Sequence, residues 1–169
     1  MIIIRELRQS DDVSTVGKIY VKSWQHTYRG MIPQDYLDNI REEQWAERLD
    51  CEGRHSLVVE LDGKLIGTSS YGESRSREYA GQGEVYSIYF LPEHMGKGYG
   101  KQLMNTVLAE LSALGYGDVF LWVLEDNIGA RKFYESAGFV CSGEVKEAEI
   151  GGKAVREVRY SYKHAQVNQ

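Results

Sequence analysis

The sequence predicts an α+β domain: a mixed, mostly antiparallel sheet flanked by helices, in a single unit. Three observations carry this. Asp62 with Gly63, and Gly151 with Gly152, each sit between runs rich in β-branched and apolar residues, which is the pattern of a tight hairpin. Residues 119–124 are nearly all apolar, as in a strand buried on both faces, and they follow an amphipathic helix pattern. That arrangement predicts two parallel strands joined by a right-handed crossover. The chain before residue 50 instead repeats apolar residues at helical spacing.

The elements follow in order. Residues 2–8 are apolar and β-branched, a first strand. Ser10, Asp11 and Asp12 then supply a helix N-cap and an acidic first turn. Val13, Val16, Tyr20 and Trp24 recur at helical spacing, so a helix runs to about Tyr28 and ends at Arg29 and Gly30. Pro33 opens a second helix with Tyr36, Leu37 and Ile40 on one face, its apolar stripe continuing through Trp45 and Leu49. Residues 56–61 and 64–71 form the first hairpin, residues 73–82 a polar loop, and residues 84–91 a strand ended by Pro92. Leu103, Met104, Val107, Leu108, Leu111 and Leu114 give the next helix a broad apolar face, capped by Gly115. After the strand at 119–124, residues 127–137 form a short helix stopped by Gly138, and residues 139–150 and 153–162 form the closing hairpin. The order is β-α-α-β-β-β-α-β-α-β-β.

The 169 residues suit one domain, expected over residues 1–163 with a polar tail at 164–169. Charged residues are 27% and apolar residues 42%, an ordinary soluble balance. The net charge of −5 argues against nucleic acid as a partner and weakly favours cationic substrates such as amines. There is no membrane-spanning run and no signal peptide, so a cytoplasmic protein without a membrane partner is expected. Cys51 and Cys141 form no CxxC pair and read as free thiols in preference to a disulfide; the four histidines lack metal-ligand spacing, so no metal is expected.

The most informative stretch is Met95, Gly96, Lys97, Gly98, Tyr99, Gly100 and Lys101, between a strand and a helix. The N–H groups of such a turn, with those of the first helical turn, have no intrahelical acceptor and converge on an anion. A Walker loop fails here: the position five before Gly100 is Met95, and Gln102 replaces the required Ser or Thr. A Rossmann loop fails at Leu103, where a small residue is needed. A plain strand-to-helix turn is the alternative from the loop alone.

Two motifs together narrow the choice. The glycine loop at 91–103, and Asn127, Ala130, Phe133, Tyr134, Gly138 and Phe139 in the pattern N-x-x-A-x-x-F-Y-x-x-x-G-F, resemble the GCN5-related N-acetyltransferase (GNAT) superfamily. The likeness covers the element order of the whole chain and residues 84–139 in detail. One departure stands out: the family's Gln or Arg at the start of the loop is Met95 here, which leaves its backbone N–H as that position's contribution.

The resemblance implies a transferase that carries the acetyl group of acetyl-CoA directly to a primary amine of a small molecule or peptide. The pyrophosphate of the coenzyme would lie on residues 95–101. The backbone of Ile88 and Phe90 would pair with the pantetheine arm in a splay between parallel strands, helped by Asn127. Arg131 and Lys132 are candidates for the 3′-phosphate. Tyr134 would protonate the leaving thiolate, with a core aromatic as its alternative role. Glu84 is the candidate base, or else a structural partner for an arginine. Tyr28 and Met31 are candidates to wall the acceptor pocket, along with Trp24 unless it belongs to the core. A non-catalytic acyl-CoA-binding or sensor domain is the competing reading, and a nucleotide-binding protein the weaker third. The amine itself is not legible, and a homodimer is left open.

Overall fold

The computed structural model describes residues 1–49 and 51–165. Of the predicted tail only His164 and Ala165 are therefore described, and residues 166–169 lie outside.

One seven-stranded sheet runs through the protein in the order β1-β2-β3-β4-β5-β7-β6. Its strands are β1 (Ile2–Glu6), β2 (Arg54–Leu61), β3 (Lys64–Glu73), β4 (Gly83–Phe90), β5 (Asp118–Leu124), β6 (Val140–Ile150) and β7 (Lys153–Lys163). All neighbours are antiparallel except β4 and β5. Both hairpin turns hold two successive residues at positive φ: Asp62 at 49° with Gly63 at 82°, and Gly151 at 60° with Gly152 at 81°. This is the turn whose twist matches paired strands.

Five α-helices among the described residues cover the sheet. Helix α1 (Val13–Thr27) starts on Asp12, whose side chain accepts from the Ser14 N–H. Asp11, read from sequence as part of the same cap, instead receives two 2.8 Å bonds from the Arg5 guanidinium. The stripe expected to run from Pro33 through Leu49 is split in two, α2 (Gln34–Asn39) and α3 (Glu43–Leu49). The break is at Ile40, which is buried in an extended conformation, φ −67° and ψ 140°. Helix α4 (Tyr99–Ala113) follows the glycine loop and α5 (Ile128–Ser136) follows β5.

The largest core cluster packs α4 on the sheet through Leu103, Met104, Val107 and Leu111, all fully buried, against Val85, Val119 and Leu121. Smaller clusters seat Val16, Tyr20 and Trp45 over Val58, and Ile32 and Leu37 over Leu124. Both sides of the sheet are thus covered, which fixes β4 and β5 while leaving their far ends free to diverge. Cys51 and Cys141 are exposed and unpaired. No described helix is long and apolar enough to cross a membrane.

Candidate active site

The site begins with a defect in the sheet. The register between β3 and β4 shifts at Ser70 and Tyr71, a bulge that bends β4. Strands β4 and β5 pair only at Gly83 with Val119 and Glu84 with Phe120, and then separate. The Leu91 N–H is bound to the Ile66 carbonyl, on the β3 side. Backbone groups of a strand alternate sides, so Phe90 and Ile88 turn their N–H and C=O groups into the gap facing β5. An open edge of this kind accepts an amide-bearing chain as it would a strand.

The glycine loop closes one end of the gap. Gly96 and Gly98 have φ of +73° and +85°, and no atom lies within 4 Å of where a Cβ would stand on either. Among the described residues, no protein acceptor takes the N–H of Gly96, Lys97, Gly98, Tyr99, Gly100 or Lys101. This is a cradle of free donors at the N-terminus of a 15-residue helix, the arrangement that binds phosphate. Met95 differs from the expectation. Its N–H donates to the Pro92 carbonyl at 3.2 Å, within a 3-10 turn, although the residue lines the cavity. Lys101 also lines the cavity, while the exposed Lys97 does not and Tyr99 packs towards the core.

Two cavities of about 640 Å³ each meet in this region. The first is mostly apolar and runs from the glycine loop past Phe90 and Phe133. The second is polar and lies under α1, α2 and α3, with Tyr86 and Trp122 on the sheet. Tyr28, Ile88, Tyr89, Asn127 and Tyr134 line both. Asn127 is the α5 N-cap: its Oδ1 accepts from Ala130 N–H at 3.2 Å, and its NH₂ has no protein partner among the described residues. Tyr134 packs on Phe133, Phe139 and Tyr160, and its hydroxyl likewise has no protein partner among the described residues. Burial pushes its phenol up, with Tyr89 adding, so it stays protonated at neutral pH. Burial raises Tyr28 well above the usual phenol range, and raises Tyr89 to about 12.

Three sequence-based candidates are placed elsewhere. Glu84 is buried, accepts the Arg75 guanidinium at 2.6 and 3.2 Å and the Arg75 N–H at 3.0 Å, and lines neither cavity. It is the arginine partner, because it stands where β4 is still paired to β5 and ahead of the splay. Met31 lines a separate hollow of about 280 Å³ beside Lys153 and Arg156. Arg131 spends its guanidinium on the Tyr160 hydroxyl and the Glu125 carbonyl. Trp24 lines the second cavity and also packs on two of the core clusters.

The structure adds residues that no motif marked. Arg54, Arg75, Arg48 and Lys146 line the second cavity, with Glu149 and Glu157 as its carboxylates. Arg54 and Arg75 stack on the Tyr86 ring at 5.3 and 4.7 Å from its centroid. Arg54 Nε is buried with no hydrogen-bond partner. The cavity is therefore cationic in a protein whose net charge is −5.

A donor cradle, an open strand edge, and a phenol where two cavities meet define an enzyme that moves an acyl group from a phosphate-bearing carrier to an acceptor. The sequence pattern of the acetyltransferase (GNAT) family matches residues 18–139, and the chain belongs to that family. It is an acetyl-CoA-dependent N-acetyltransferase. The chain is 31% identical over 129 residues to the uncharacterized N-acetyltransferase YuaI of Bacillus subtilis (strain 168), covering 75% of this chain and 74% of that protein. It is 26% identical over 125 residues to the L-amino acid N-acyltransferase MnaT of Escherichia coli (strain K12), covering 74% and 72%. In fold it is similar to the PaiA N-acetyltransferase from Thermoplasma acidophilum, solved in complex with coenzyme A. That likeness has a TM-score of 0.75 at 22% identity and covers 97% of this chain and 99% of the other.

Proposed function

We propose that the acceptor is a small molecule carrying both a primary amine and an acid group, an L-amino acid being the simplest. The observation that carries this is the lining of the second cavity. Four cations face two carboxylates there, and Arg54 offers a buried, unpartnered Nε–H. A buried donor without an acceptor is costly, and a substrate carboxylate relieves that cost with a charge-assisted bond. The aromatic walls, Trp24, Tyr86 and Trp122, suit an apolar or aliphatic remainder. The relative MnaT, an L-amino acid N-acyltransferase, supports the same class.

Acetyl-CoA, when bound, supplies an activated acyl carbon and a thiol that can leave. The chain's own groups do the rest. The loop N–H groups of residues 96–101 hold phosphate, and the edge of Ile88 and Phe90 holds the amide arm. The Asn127 NH₂ donates to the same arm. The Phe90 N–H, facing the gap, would donate to the reacting carbonyl oxygen as it gains charge. Tyr134 gives its proton to the departing sulfur: burial keeps the phenol protonated at neutral pH, and no protein acceptor among the described residues competes for that proton. Tyr28 and Tyr89 close the junction and keep water from the acyl carbon.

The test is thiol release from acetyl-CoA with the proteinogenic L-amino acids, each paired with its decarboxylated amine. Amino acids are expected to be turned over and the amines lacking a carboxylate to be much poorer. Arg54→Gln is expected to raise KM for the amino acid and not for its decarboxylated partner. Equal use of both members of every pair would refute the acid-group requirement. Coenzyme binding without turnover of any amine would favour a sensor domain instead.

A further inference from the structure

We propose that Glu157 takes the proton of the acceptor's ammonium group and is the base of this site. This rests on the acyl-transfer reading above. Of the two carboxylates lining the acceptor cavity, Glu149 is exposed, whereas the Glu157 side chain keeps 22% of its surface. Glu157 sits on β7 directly opposite Leu124 of β5. That places it on the strand flanking the splay, level with the end of β5 and three residues before Asn127, which stands at the junction of the cavities.

Its surroundings suit the role. Lys146 approaches from β6 at 3.4 Å, a loose pair, while its Nζ lies 4.4 Å from the centroid of the Trp122 ring. Of the other β6 charges, Glu144, Glu147 and Glu149, only Glu149 lines the cavity. Arg75 is the β3–β4 connection's cation that lines the cavity, and it is held by Glu84. Tyr28, capping α1, and Tyr89 from β4 are both near enough to feel the Glu157 charge, though burial is the larger effect on each. Both phenols stay neutral and cannot compete for the proton. An ammonium group entering beside Tyr28 meets this carboxylate on the acceptor side of the junction, with Tyr134 on the coenzyme side.

The step balances. Glu157 accepts one proton from R–NH₃⁺ and later passes it to water. The neutral nitrogen forms the C–N bond, and the C–S bond breaks with its electron pair on sulfur. Tyr134 donates its proton to that sulfur, and the second proton lost by nitrogen restores Tyr134. The net products are the amide, a free thiol and one proton.

The experiment measures kcat/KM against pH for thiol release, and L-methionine binding to the protein with coenzyme A by calorimetry. Glu157→Gln is expected to lower kcat/KM about 100-fold or more at neutral pH. Its rate should then climb with pH towards the amine's own ionisation and approach the wild type there. Lys146→Met keeps the base and should keep the acidic limb of the profile. Glu84→Gln is expected to lower the melting temperature and leave that limb in place. In calorimetry, Glu157→Gln should weaken L-methionine binding while coenzyme A binding and melting stay near wild type. A wild-type pH profile in Glu157→Gln, or loss of the limb in Glu84→Gln, would overturn the assignment. Wild-type protein that binds L-methionine but releases no thiol would sink the acyl-transfer reading, and calorimetry would still decide on Glu157. Failure of the wild type to bind L-methionine counts against both.

Discussion

Replacing Tyr134 with Phe removes one oxygen from the place where the two cavities meet. The ring keeps its neighbours: Phe133 at 5.5 Å, Phe139 at 6.1 Å and Tyr160 at 6.3 Å between centroids. The hydroxyl has no protein partner among the described residues, so its loss strands no buried donor or acceptor, and stability should change by less than about 0.5 kcal/mol. The effect on chemistry should be much larger. A positioned acid contributes roughly 10²–10⁴ in rate, which is about 3–5 kcal/mol of barrier. That gap between a negligible folding effect and a large kinetic one is the signature to look for. Thiol release at saturating acetyl-CoA reads kcat, calorimetry with coenzyme A reads binding, and a thermal melt reads stability. The expected result is a fall of at least about 100-fold in kcat, with binding and melting nearly unchanged. A kcat within threefold of wild type would show that sulfur leaves without help from this phenol. A parallel loss of melting temperature would return Tyr134 to a packing role.

The glycine loop and the outer sheet give two further tests. Gly98→Ala forces an L side chain to φ +85° where nothing obstructs the Cβ, so its cost is backbone strain of about 1–2 kcal/mol plus crowding of the anion cradle. Met95→Leu changes neither, because the Met95 N–H is already held by Pro92. Coenzyme A affinity should fall at least tenfold in the first and under threefold in the second, and the reverse order would refute a backbone-based cradle. At the other edge, Asp11 is held at about 2, below its usual 3.8, chiefly by the hydrogen bonds of Arg5. A carboxylate depressed on folding adds stability above its unfolded value and loses it as pH falls through the folded one. Asp11→Asn should therefore cost about 2 kcal/mol in urea unfolding at pH 7, with the difference closing between pH 4 and 2. A gap that persisted at pH 2 would mean that Arg5 gains nothing from the charge.

The two hairpins and the glycine loop were legible because local chemistry dictates them. A two-residue turn with two positive-φ positions demands residues such as Asp62 with Gly63, and an open donor cradle demands Gly96 and Gly98. The split of α2 from α3 was not, since Ile40 is apolar in either conformation and only burial against the core decides which it adopts. The acceptor cavity was hidden for a different reason. Arg48, Arg54, Arg75 and Lys146 come from four separate elements, share no spacing, and converge only because α3, the start of β2, the β3–β4 connection and the β6–β7 hairpin meet around Trp122 and Tyr86. Net charge pointed the opposite way: a surplus of five negative charges over the surface says nothing of the sign inside one cavity. Glu84 illustrates the same limit, because its position along β4 is readable and the arrival of Arg75 is not.

The bulge at Ser70 and Tyr71 ties these parts together. A regular β4 would continue parallel to β5, and the N–H and C=O groups of Ile88 and Phe90 would be consumed by the sheet. The register shift bends the strand, and pairing with β5 stops after Glu84. Unpaired backbone inside a protein is unfavourable, so the gap selects for a ligand that brings its own amides. The residues just before the gap must then hold the two strands firmly together. Glu84 does this: its carboxylate, buried at the last paired position, takes three bonds from Arg75 and fixes the connection that carries Arg75 to the cavity wall. A base at that position would have to release Arg75 each time it took a proton, loosening the hinge of the splay and the cation lining together. Placing proton transfer on Glu157 leaves the hinge intact, because its partner Lys146 belongs to the outer hairpin and not to the strands that open.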